Sequence, residues 1–462
     1  MDERNVHIAW GQDEGAALPL TLVLIALMMT LGGVVLMVGS IQYRFVRSDV
    51  HDAQARQLAE AGIYEAFARL HDNPHWRPAD DTIELINDEA VSITVEPYGS
   101  YLWVEALAEA GRSQSTVRVI AGERPPLALE RAVVQWDTQS SLNVAGTTSI
   151  VGDIVVGERG VVESTFKTER FVGEVDGTVY PVQGLAAPYF DTTAVSLVLA
   201  QYDAWARGAT SSTPSTAEPG RYALVRARPS RLPVRRLASG YTLSAADSTW
   251  LNQPHRVVVA GNLTVQGPLR LPPLTHLLVR DTLVIQGAVS GDDLIGYAGR
   301  HLRASGPLSA TAQLFSQDDL HLGAGVRLDY PSVVYVDGRA VDAQGRIHLE
   351  EDVVVNGMLM HPPQPARPQQ AAARIRLAEG SLVRGAVYNG LETEVHGLIL
   401  GHLWSYQFYF FETPTNYINW LKDVTIDVTQ RPQAFALPPL FSPSPHLEVV
   451  RWAATDSARV SP

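Results

Sequence analysis

The side chains with the most chemical potential are paired carboxylates: Asp80-Asp81, Asp292-Asp293, Asp318-Asp319 and Glu350-Glu351. On the outside of stacked β-coils, such carboxylates hold calcium or share acid–base work on a sugar. Their setting points elsewhere. Three of the pairs fall at or next to turns, where Asp is favoured for its local backbone hydrogen bonds. Neighbouring strand residues also point to opposite faces, which is poor geometry for a joint site. These acids are read as turn residues.

His396 and His402 would share a face if strand alternation held between them, but Gly397 and Gly401 interrupt it. Two histidines without a third ligand do not make a metal site. No metalloprotease, P-loop, nucleophile-elbow or dinucleotide motif stands in its required context. The absence of cysteine excludes a disulfide framework, cysteine zinc sites and thiol catalysis. The sequence therefore assigns no catalytic, cofactor-binding or metal-ligating residue and implies no cofactor. A net charge of −13 argues against a general nucleic-acid binder, which would show a basic face. Arg226, Arg228, Arg231, Arg235 and Arg236 read as a solvated loop rather than a polyanion site. Phe408, Tyr409, Phe410, Phe411, Tyr417 and Trp420 form either an aromatic binding surface or a cap over the end of a stack, and the cap is preferred.

The elements around these residues fall into three parts. From residue 130 to 430, short apolar strands end repeatedly in glycine, as in VVVAGNLTVQG, LLVRDTLVIQG and IHLEEDVVVNG. The glycines at 267, 287, 323, 357 and 385 are unevenly spaced. Irregular coils of short strands are what a parallel β-helix produces, each burying its inner side chains only against a neighbour. A β-sandwich is the alternative. Leu263, Val265, Leu283, Ile285, Val353, Val355 and Val383 are expected inside, with Leu398 uncertain in register. Thr264, Gln266 and Arg384 are expected outside. Residues 189–236 interrupt the coils, with a helix over 189–207 and an exposed loop over 208–236. Residues 361–370 are a second exposed loop, and 438–462 a loose tail. Before the coils, residues 80–122 form a small antiparallel sheet with a turn at 96–100.

Residues 16–72 organise the chain. The run from 16 to 39 carries no charge and is long enough to cross a bilayer core. It continues as an amphipathic helix whose apolar stripe includes Leu58, Ala59, Ile63, Ala66, Phe67 and Leu70. Pro74 ends it. One helix is expected over 16–70, slightly bent at Gly32-Gly33, with its stripe covering one face of the sheet.

Gly15 before the apolar run, the run itself, and QARQLAEAGIYEAFARL at 54–70 resemble the N-terminus of type IV minor pilins and minor pseudopilins. The resemblance covers about the first 120 residues. It implies a leader over 1–15, cleavage after Gly15, and Ala16 as the new N-terminus. Most members carry glutamate at the fifth mature position, where it pairs with the terminal amine of a neighbouring subunit. This chain has Leu20 there, as a minority of minor subunits do, including those at a filament tip. Asp13-Glu14 stands where basic residues are usual. The resemblance also implies an anchor in the bacterial inner membrane with the C-terminal part exported, to the periplasm or cell surface. Counting Arg44, Arg47 and Arg56 against Arg4 gives the opposite orientation; the resemblance is followed.

The expected function is thus a non-enzymatic, membrane-anchored minor pilin-like or envelope adhesion subunit with an exposed β-helical head. Its expected partners are membrane lipid along 16–39, pilin or pseudopilin subunits, and surface polysaccharide, but not nucleic acid. A plain anchored scaffold and a membrane-anchored carbohydrate-active β-helix enzyme are the alternatives.

Overall fold

Helix α1 (Ala17–Asp72) runs without interruption. Its proline, Pro19, sits in the first turn, where no intrahelical donor is lost. The computed structural model describes residues 17–73, 76, 82–84, 90–184, 187–208, 232–339, 344–363, 374–452 and 456–459. From 18 to 50 no residue of α1 is buried. From Ala55 onward one stripe is: Ala55, Ala59, Ile63, Ala66, Phe67 and Leu70. Gly62 lets this stripe approach the sheet, since a Cβ there would lie 2.7 Å from Val91 Cγ1.

The stripe packs on strands β2 (Ala90–Tyr98), β3 (Tyr101–Ala110) and β4 (Ser113–Glu123), which pair antiparallel; strand β1 (Thr82–Glu84) pairs with the outer edge of β2. The turn is tighter than the sequence suggests. Strand β2 continues to Tyr98, and only Gly99 and Ser100 turn, Gly99 at φ +62°.

The chain end is not a loose tail. Leu447–Trp452 and Asp456–Arg459 both pair antiparallel with β4. An open edge of backbone donors and acceptors is thereby satisfied. Leu440 and Phe441, just before, are 3% exposed.

Residues 133–427 wind into parallel coils around one apolar core. A β-sandwich would pair antiparallel; among the described residues of the coils the antiparallel pairings are the Tyr409–Ile418 hairpin and an isolated bridge between Phe166 and Glu169. Each coil has three faces. The docked face contains Arg256–Val259 and His276–Val279, buried on both sides. The open face contains Leu263–Gln266, Thr282–Gln286 and Asp319–Leu322, alternately inward and outward. The third face is short, as at Leu269–Arg270. Leu263, Val265, Leu283, Ile285, Val353, Val355 and Val383 all lie in the core, whereas Thr264 is half-exposed and Gln266 and Arg384 are exposed. Leu398 pairs with Leu382 and is half-buried, and Ile399, in line with Val383, is the inward residue of that strand.

The coils do not stack in chain order. From Val234 they rise in sequence to Asp427. The next layer is then Val133–Gln135, Leu142–Ala145 and Ser149–Val151: Leu403 pairs with Val133, Trp420 with Asn143 and Thr425 with Ser149. Residues 154–181 complete that end. The connection back to Val234 passes through helix α2 (Thr192–Ala206), N-capped by Asp191, which accepts from the Ala194 amide at 3.0 Å. Two expected loops are corrected here. Val234–Leu237 is a strand, because it opens the docked-face ladder by pairing with Arg256–Val259. His361 ends the strand Val354–His361 and is fully buried. Arg226, Arg228 and Arg231 lie outside the described residues.

Candidate functional site

The outward side chains of the docked face form a ladder in register: Leu278, Tyr297, Phe315, Tyr335, Met360, Tyr388 and Trp404. All are buried under the antiparallel sheet, α2 and the chain end. Sequence reasoning missed this surface. Its signal was present in the unbroken apolar runs such as VVV at 257–259, since a strand buried on both sides does not alternate.

Polar contacts fix the docking. Gln313, 3% exposed, caps the β2–β3 turn. Its Oε1 accepts from the Ser100 amide at 2.8 Å, and its Nε2 donates to the Tyr98 carbonyl at 2.9 Å. Arg451 pairs with Asp293 at 2.9 Å. The sheet and coils are therefore joined at the C-terminal end of α1.

On the open face a different ladder points outward: Arg303, His321, His348, Arg376 and Glu394 in consecutive coils. The rings of His321 and His348 stack at 5.0 Å. Glu350 faces His321 at 2.9 Å. Glu394 lies 3.5 Å from Arg376 and 2.9 Å from His396. Burial, then His321 and Arg376, push the pKa of His348 below its ordinary value.

The other singled-out residues are dispersed. Gly15 and Ala16 lie outside the described residues, as do Asp80 and Asp81. Leu20 is on α1 and 72% exposed. His396 and His402 are on different faces. His402 is buried on the docked face, donating from Nδ1 to the Arg131 carbonyl at 2.8 Å while Arg431 donates to its Nε2 at 2.9 Å. Ligand atoms of His301, Asp318 and Asp319 lie within 4.8 Å of one another. The two carboxylates already accept from the backbone amides of Gln344, Gly345 and Arg346, which is turn chemistry.

The aromatics near the last repeat do not cap an open end, because the coil at 133–151 stacks there. Phe410, Tyr417 and Trp420 instead surround Phe166 at 5.3, 4.9 and 5.8 Å, clasping early and late coils together.

No family model matches the chain, and none of the curated proteins does. Among solved structures it is similar to the competence-associated pilin ComZ from Thermus thermophilus, at 12% identity and a TM-score of 0.22, over 88% of this chain and 98% of that one. At so loose a superposition, function must be argued from this chain's own geometry.

Proposed function

We propose that the chain is a membrane-anchored, non-catalytic, pilin-like structural subunit that carries an exported β-helical head. The observation that supports this reading is the division of α1. Its last turns are built into the head, while no residue from 18 to 50 is buried. Side chains such as Leu20, Met29 and Leu36 are 72–76% exposed there. Apolar area left in water costs about 25 cal/mol per Å², so this half needs lipid or protein around it.

A bilayer core covers only roughly 20 residues of helix. Tyr43, Phe45, Val46 and Val50 extend the bare apolar surface toward the head. Helices of neighbouring subunits cover that part in an assembled filament. The reading places the anchor in the inner membrane and the head outside it, with cleavage after Gly15.

N-terminal sequencing of protein from the native envelope tests processing, with Ala16 the expected first residue. The chain lacks cysteine, so Phe45→Cys supplies a unique thiol for crosslinking to filament subunits. A start at Met1 together with no crosslinked subunit would leave a plain anchored scaffold.

A further inference from the structure

We infer that Arg44, Arg47 and Arg112 bind phospholipid phosphates on the head side of the bilayer and seat the head on the membrane surface. The inference rests on the reading of α1 as a membrane anchor.

Two elements bring the three side chains together. Arg44, Arg47 and His51 recur at three- and four-residue spacing, so they share one side of α1. The head meets the helix at His51: a Cβ on Gly111 would lie 2.4 Å from its Nδ1. Gly111 and Arg112 form the turn between β3 and β4. That turn therefore overhangs the arginine side of α1, about one helical turn from Arg47.

All three arginines are exposed and make no ion pair among the described residues. Arg56 and Arg69, farther along α1, pair with Glu60 and Glu65. No acid stands three or four residues from Arg44 or Arg47. Asp49 falls on the opposite side of the helix, Asp52 is half-buried, and Glu109 accepts from Gln114 at 3.1 Å. Like charges one turn apart destabilise a helix, and anions between them would remove the repulsion.

Membrane geometry supplies those anions. The uncharged run ends at Gly39. At about 1.5 Å per residue, Arg44 lies about 7.5 Å beyond it and Arg47 about 12 Å. The headgroup layer is roughly 5–8 Å thick. Side chains of a helix lean toward its N-terminus, which here is toward lipid, so long arginines reach back into the headgroups. A guanidinium holds a phosphate through paired, charge-assisted hydrogen bonds. Tyr43 and Phe45, 67% and 57% exposed, suit the same interfacial layer. The net charge of −13 does not decide this contact, because the anchor already holds the arginines at the surface and no long-range attraction is needed.

Full-length protein with a carbon isotope label at arginine Cζ is reconstituted at low density in phosphatidylcholine bilayers. Solid-state resonance then measures dipolar coupling from arginine Cζ to lipid phosphorus. The unmutated protein should show such coupling, a measurement that needs no variant to fold. The triple substitution Arg44→Gln, Arg47→Gln, Arg112→Gln should reduce it at least twofold, while Arg56→Gln should leave it unchanged. Release of the unmutated protein by alkaline carbonate would overturn the anchor and the inference together. A retained protein without coupling overturns the inference alone. So does coupling undiminished in the triple variant, or an equal loss with Arg56→Gln.

Discussion

The side chain of Gln407 donates to the buried carboxylate of Asp137 at 2.8 Å, across 270 residues of chain. Asn419 donates to the same carboxylate oxygen at 2.9 Å. This contact sits where the first coil is laid on the last. Asp137→Ala would strand two buried amide donors, each costing about 1–3 kcal/mol. Chemical denaturation should show a loss in that range or somewhat above it. An unchanged midpoint would mean that the joint is held by its ladder bonds alone.

Gln313 serves the contact between the coils and the sheet. Gln313→Leu keeps the bulk but leaves the Ser100 amide and Tyr98 carbonyl without their partner. The expected cost is roughly 1–3 kcal/mol. Hydrogen exchange at Ser100 should accelerate while exchange in the coil core stays slow. Equal acceleration in both places would mean that docking and coil stability are one unit.

His402 makes stability depend on acid. Burial holds its pKa down at about 4, against the pull of the Arg131 carbonyl and with the help of Arg431. Above its ordinary value of about 6.5, folded and unfolded chains both carry it neutral. As pH falls from there to about 4, only the unfolded chain gains the proton. Stability present at neutral pH is therefore lost across that window, by roughly 3 kcal/mol. Urea titrations at pH 7 and 4.5 should show a smaller loss in His402→Phe than in the unmutated protein. The remaining slope includes His276, which burial lowers to about 3.

Core and surface positions of the coils should separate cleanly. Ile285→Ala removes a side chain 3% exposed in the shared core and should cost about 2–5 kcal/mol. Arg384→Ala should change stability by less than about 0.5 kcal/mol. Thermal unfolding monitored by circular dichroism distinguishes the two.

The proposed filament role makes a prediction at Leu20. If the chain initiates or ends a filament, Leu20→Glu should raise its incorporation into the filament body, read by immunoblotting sheared filaments. Unaltered incorporation would remove that role from Leu20.

Much of this protein was legible from its residues one segment at a time. The uncharged run and the stripe through Ile63 and Phe67 specified α1, because helical periodicity is a local property. Apolar–x–apolar spacing at Leu263, Val265, Leu283 and Ile285 specified which side chains point inward, because alternation along a strand is local too. Local pattern carries no information about which strand lies next to which. Only the tertiary structure placed Val133 on Leu403, turned the aromatics around Phe166 from a cap into a clasp, and drew Leu447–Trp452 onto the sheet edge. The same holds for the row from Arg303 to Arg376. Its members are far apart in sequence and become neighbours only because parallel coils bring one position of each turn into line.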